Sequence, residues 1–240
     1  MRTEILNIDK GQCLTDVLPA IPANTIFDKT ITGCGATHSE IVNAARHSII
    51  IEPNIPVILG KKAEHPFLFA VYEGITKEDV KAYLAGEHDG YRKIITTPEG
   101  FDKKVLPAMH ELEIPVYKDY FLLFDECEKA IQDVGYRGDI YLPVEDFFKF
   151  ENKAMVSATP IVPSDPRFEE NGFKILKLVP TYDTRIELTL CTTNNTVAVM
   201  RKLLKRLENE TVCVFLNSTE TILSLIYALR LQGRSRVFCI

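Results

Sequence analysis

Short apolar runs that do not alternate with polar residues, separated by amphipathic stretches, constrain this chain more than any of its other features. The runs fall at residues 25–27, 48–52, 67–72, 93–96, 121–124, 154–157, 173–178, 185–190, 212–216 and 236–240. They are rich in Ile, Val and Phe, and that pattern belongs to parallel strands covered on both faces. Helical periodicity fills the intervals, at 38–46, 77–84, 98–110, 126–133, 144–150, 196–207 and 220–231. Strand and helix in alternation predict an α/β fold built on an open, mostly parallel sheet with helices on both faces. No internal repeat or low-complexity segment interrupts the pattern.

The 240 residues hold 46% hydrophobic and 25% charged side chains, the balance of a water-soluble domain. No apolar stretch is long enough to cross a bilayer, because SIIIEPNIPVIL is broken by Glu52, Pro53 and Pro56. The first residues, MRTEILNIDKGQ, lack the apolar segment of a secretion signal. Six cysteines form no CxxC pair and mostly sit in apolar runs, so reduced thiols in the cytoplasm are expected and zinc is not. The spacing around His65 and His110 does not suggest metal binding either.

Net charge is −5 and unevenly spread. Residues 1–180 carry −8 and residues 181–240 carry +3. The change of sign, with Pro180 and the polar CTTNNT nearby, predicts a boundary between a first domain at 1–180 and a second unit at 181–240. Sixty residues are few for a doubly wound domain. The expectation is that 181–240 is the linker and opening part of a longer second domain.

Three short phrases carry the chemistry. The first is TGCGAT at 32–37, between a strand and a helix. Gly33 and Gly35 can take positive φ and let backbone amides approach an anion, and the helix start adds its own positive end. Cys34 and Ala36 complete the loop, and Thr37 stands where a hydroxyl would hold Mg2+. A phosphate loop ordinarily has lysine where this chain has Ala36. Either Lys29, just before the loop, supplies the missing charge, or the site binds nucleotide weakly or not at all. The second phrase, LLFDECE at 122–128, ends an apolar strand on two acids. Asp125 is suited to hold Mg2+, and Glu126 to deprotonate a water. The third, VSATP at 156–160, offers Ser157 and Thr159 as hydrogen-bonding partners for the acidic motif or a neighbouring domain. Cys34 reads as a small loop residue, Cys127 as a packing residue, and His38 as a solvent-facing residue of the first helical turn.

In this order the phrases resemble motifs I, II and III of the superfamily-two, DEAD/DEAH-like helicases and translocases. EPNIPVILGK resembles motif Ia, KIITTPEGF the TTPE-type motif of the first domain, and VFLNSTE at 214–220 the opening motif of the second. The likeness spans roughly residues 20–240. GAT in place of GKT is most similar to helicase-like proteins of bacterial mobile elements and phages. The resemblance implies two RecA-like domains with a P-loop fold, and ATP and Mg2+ as cofactors. It also implies nucleic acid as partner, DNA in preference to RNA, bound by the loops after Glu52 and around Thr96–Glu99. Gly33, Cys34, Gly35, Ala36, Thr37 and Lys29 would line the nucleotide. Asp125 and Glu126 would be catalytic, Asp125 and Thr37 would hold Mg2+, and Ser157 and Thr159 would couple hydrolysis to movement. The alternative is a helicase-like scaffold that binds nucleic acid or protein without hydrolysing ATP. Ala36 favours the scaffold, and the intact acidic pair favours the motor.

Overall fold

The computed structural model describes residues 1–127, 144–160, 163, 165–185, 190, 192–206, 212–216 and 218–233. The described residues contain one eight-stranded sheet, in the order β1-β8-β2-β7-β6-β3-β5-β4. Its strands are β1 (Thr3–Ile8), β2 (Thr25–Asp28), β3 (His47–Ile51), β4 (Phe69–Val71), β5 (Lys93–Thr96), β6 (Tyr120–Asp125), β7 (Asn152–Ser157) and β8 (Lys174–Pro180). Every pairing is parallel. The fold is thus α/β, as the non-alternating runs required.

The pleat sends successive side chains to opposite faces, and the core divides accordingly. One cluster holds Ile26, Ile49, Ile51, Ile94, Leu122, Phe124 and Met155, with residues of helices Lys77–Ala85 and Leu106–Glu111. The other holds Phe27, Ile50, Ile95, Phe121, Leu123, Ala154 and Val156, with residues of helices Ala36–Ile41 and Ile55–Glu64. Burial on both faces is why the central strands carry no polar alternation. Counting onward by twos along the second face brings β2 to Lys29, β6 to Asp125 and β3 to Glu52. Those three positions therefore share a face with the helix that follows the TGCGAT loop.

Several elements differ from expectation for identifiable reasons. Strand β1 has no counterpart among the predicted runs. It is an edge strand whose residues are mostly exposed or half-buried, so its sequence alternates. Helix Ile55–Glu64 lies in the segment read as a loop after Glu52; Pro56 sits in its first turn, where proline is preorganised rather than disruptive. The run expected at 98–110 is one helical stretch, but Phe101–Val105 is a π-helical turn between Pro98–Gly100 and Leu106–Glu111. The helix expected at 38–46 starts at Ala36 and ends at Ile41. Residues 212–216 form no regular strand. The strand predicted at 236–240 lies outside the described residues, as do most of the helix at 126–133 and most of the strand at 185–190.

The chain divides into two compact units, Met1–Thr184 and Arg185–Ile240. In the second, helix Thr196–Arg206 packs with helix Thr219–Ala228. The latter is capped by Ser218, whose hydroxyl accepts from the Thr221 amide at 3.1 Å. No residue of Thr196–Arg206 is buried, while Leu225 of its neighbour is.

A charged network fixes the helix after the loop. Glu40 is fully buried. It receives Arg46 Nε at 3.0 Å, Arg46 Nη2 at 2.5 Å and the Ser48 hydroxyl at 2.5 Å. Lys93 Nζ lies 3.6 Å from the same carboxylate and donates to Ser48 Oγ at 2.8 Å. The Arg46 guanidinium also sits 3.4 Å over the Phe121 ring, a cation–π contact. Burial pushes the Lys93 ammonium down to about 8, against the pull of Glu40. Together these contacts tie the end of helix Ala36–Ile41 to β3, β5 and β6. Removing one partner would strand the others in a dry environment. Glu40→Ala is therefore expected to cost about 3–5 kcal/mol of stability, measured by urea unfolding against the parent chain.

Candidate active site

Parallel α/β sheets bind ligands beyond the carboxyl ends of their strands, and the predicted residues collect at that edge. The loop after β2 runs from Lys29 to Gly35. Gly33 and Gly35 have φ of 75° and 87°, backbone that L side chains rarely adopt. A Cβ placed on either would meet nothing within 4 Å, so the loop is uncrowded on that side of both residues. Gly35 caps helix Ala36–Ile41 without a side-chain hydrogen bond, leaving the first-turn amides to backbone, water or an anion. Cys34 and Ala36 are both buried against the sheet. Burial pushes the Cys34 thiol up, consistent with a packing role.

Strand β6 delivers Asp125, which is 2% exposed. One of its carboxylate oxygens accepts the Thr37 hydroxyl. Lys29 Nζ approaches the other at 3.3 Å and lies 2.5 Å from Glu126 Oε1. Burial alone would push the Lys29 ammonium down, but the charges and hydrogen bonds of Asp125 and Glu126 outweigh it and hold the group above its ordinary range. Glu126 has φ of 51° and Thr30 the same value. Non-glycine residues in this left-handed region carry strain that clusters at functional sites.

Strand β7 meets the loop through backbone. The Ser157 carbonyl accepts the Lys29 amide at 2.9 Å. The Ser157 hydroxyl accepts the Thr159 amide at 2.9 Å, so it bonds within its own turn instead of to the acids.

The structure thus brings together Lys29, Thr37, Asp125 and Glu126, with Gly33 and Gly35 in the adjoining loop. It places Ser157 next to Lys29 by main chain and leaves Thr159 exposed. His38, expected to face solvent, is half-buried and meets His65. In the TTPE segment Thr97 is turned inward, its hydroxyl accepting the Gly100 amide at 3.0 Å.

Sequence reasoning passed over Glu52 as a site residue. It is 2% exposed at the end of β3. Its Oε1 accepts the Asn54 amide at 2.9 Å and the Asn54 side-chain nitrogen at 2.8 Å. Burial, with Asp125 and Glu126 nearby, pushes its carboxyl up to about 7. The available signal was positional: Ile51 pairs with Phe124, so the next residues, Glu52 and Asp125, stand level in one row.

Asp125 and Thr37 offer adjacent oxygen donors, which suit a hard cation such as Mg2+. Among the described residues, no three His, Cys, Asp or Glu side chains stand close enough to make a complete metal cluster. No helix of the described residues is long and apolar enough to cross a membrane.

No family model matches the chain, and no curated protein does. Among solved structures, the DUF1998 helicase MrfA is similar, with a TM-score of 0.59, 13% identity, and coverage of 91% of this chain and 38% of that one. The Pyrococcus furiosus Hef helicase domain aligns with a TM-score of 0.42 and 13% identity, over 90% of this chain and 51% of that one. The chain therefore has a helicase-like α/β fold and spans well under half the length of MrfA.

The raised Glu52 carboxyl sets a pH dependence. Below about pH 4.5 folded and unfolded chains both hold its proton; between there and about 7 only the folded chain does. Its contribution to stability is thus full at low pH and lost as pH rises through that window. Glu52→Gln, which keeps the acceptor for Asn54, is expected to be more stable than the parent at pH 8 by about 3 kcal/mol. The gap should close toward pH 4.5, as read from urea titrations at the two pH values.

Proposed function

We propose that the chain is the N-terminal portion of an ATP-dependent nucleic-acid helicase or translocase, in which Lys29 replaces the phosphate-loop lysine. The carrying observation is that Lys29 Nζ lies within 3.3 Å of Asp125 and 2.5 Å of Glu126, beside a loop with open space at Gly33 and Gly35. That is where a cation is needed against nucleotide phosphates. Lys29 reaches it from the end of a strand, whereas a conventional loop lysine reaches it from the helix start.

On this reading Thr37 and Asp125 hold Mg2+, which would neutralise charge developing on the phosphates. The amides of residues 33–37 cradle the phosphate oxygens, with Cys34 and Ala36 contributing main chain only. Glu126 orients the attacking water and takes its proton. Lys29 then exchanges its carboxylate partners for phosphate. Ser157, through its carbonyl on Lys29, and Thr159 in the same turn carry movement toward a second RecA-like domain that begins in residues 181–240. The loops after Glu52 and around Thr96–Glu99 would contact DNA, in preference to RNA, mostly through phosphate. The cytoplasm is the expected compartment.

A second reading has its own support. Lys29 already pairs with both acids, as in a scaffold whose hydrolytic pair is locked. Two variants in the longest available protein separate the readings. Glu126→Gln should retain ATP binding and lose at least a hundredfold in ATP turnover; turnover equal to the parent's would remove Glu126 as the base. Lys29→Ala should weaken ATP binding at least tenfold by calorimetry, about 1.4 kcal/mol. A parent chain that neither binds nor hydrolyses ATP would leave only the scaffold.

A further inference from the structure

His38 lies in the first turns of helix Ala36–Ile41, and His65 is the C-cap of helix Ile55–Glu64. Twenty-seven residues apart in sequence, they meet with His38 Nδ1 3.2 Å from His65 Nε2. Their ring centroids are 5.1 Å apart and their planes are tilted by 40°. Both rings are half-buried, so an ion can reach them. We propose that this pair is a two-histidine site for a transition-metal ion, zinc above all, which bridges the loop helix to the helix beside it.

The distances fit an ion held between the rings as well as they fit a bent N–H···N hydrogen bond. Two imidazole nitrogens bound at about 2.0 Å to a tetrahedral zinc stand about 3.3 Å apart, with ring centres about 5.2 Å apart. A head-on N–H···N bond with nitrogens about 3.2 Å apart would hold the ring centres about 5.5 Å apart. The observed 3.2 Å and 5.1 Å match the bent, converging arrangement. Phe67 packs edge-on against His65 with centroids 5.7 Å apart, which helps fix the ring.

The surrounding charges are mixed. Glu64 lies close enough for its charge to act on both rings and is paired with Lys61 Nζ at 2.9 Å. Burial, together with the neighbouring His38, pushes the His65 imidazole down, toward the neutral form that ligates metal. Two imidazoles with water complete the shell. Such a site binds in the micromolar range, weaker than a four-ligand structural zinc. The separation of His38 and His65 in sequence explains why spacing gave no sign of it.

The site stands independently of the ATPase reading. Its consequence rests on that reading: an ion here would restrain the phosphate-loop helix and slow turnover.

The test is zinc titration of the whole chain after chelator treatment, by calorimetry and by thermal unfolding with and without ZnCl2. One micromolar site and a zinc-dependent rise in Tm are expected for the parent. His38→Ala and His65→Ala should each weaken binding at least tenfold and abolish the rise. A variant that unfolds early without metal is replaced by His38→Gln or His65→Gln. Undiminished binding in either variant would place the ion elsewhere, for instance on exposed Cys13 or Cys213, and would overturn the proposal. So would the absence of binding below millimolar zinc. Because the readout is binding, its failure leaves the ATPase reading intact, and a chain inert toward ATP leaves this site intact.

Discussion

One buried ammonium group ties together the acids at the carboxyl edge of this sheet. Lys29 is 8% exposed and bridges Asp125 and Glu126. Without it, Asp125 and Glu52 would lie buried beside Glu126 with the Lys29 pairing lost. An isolated charge in that environment is far more costly than a paired one. The lysine reconciles a hydrophobic, doubly covered sheet with a cluster of acids at its rim. Burying it is tolerable because both partners are in place, and a raised Lys29 pKa expresses the same balance.

The pleat explains how residues so distant in sequence come to share that rim. Phe27 and Lys29, Leu123 and Asp125, Ile50 and Glu52 each differ by two positions. Each pair therefore points the same way, toward the helices over the second core cluster. The apolar member of each pair is core, and the polar member projects past it at the strand end. The chemistry is thus registered by the same hydrophobic pattern that registers the sheet.

This is also why much of the fold was legible in the sequence and the site only partly so. Runs such as 93–96 and 121–124 are buried on both faces, and nothing but a central parallel strand explains them. TGCGAT and FDEC announce themselves because glycine and paired acids stand out at strand ends. Glu52 did not, because a single glutamate before two prolines looks like ordinary loop. Helix Ile55–Glu64 was hidden by Pro56, which breaks a helix interior but suits its first turn. Strand β1 was hidden by its edge position, where one exposed row dilutes the apolar run. His38 and His65 were invisible as a pair, since their meeting depends on how two helices pack.

Ala36 then looks less like a defect than like one half of an exchange. Its methyl group is 4% exposed and packs with Ile41, Ile58 and their neighbours, so the position is filled by core. On the proposed reading the cation stands instead at the end of β2, where the Lys29 backbone amide is held by the Ser157 carbonyl. A lysine on a glycine-rich loop can follow its ligand; a lysine on a hydrogen-bonded strand end moves only with the strands beside it. On the proposed reading, any shift of the Ser157–Thr159 turn is passed to Lys29 through one main-chain bond. Charge at the acids and movement at the turn become mechanically linked, with β2 and β7 as the shared element.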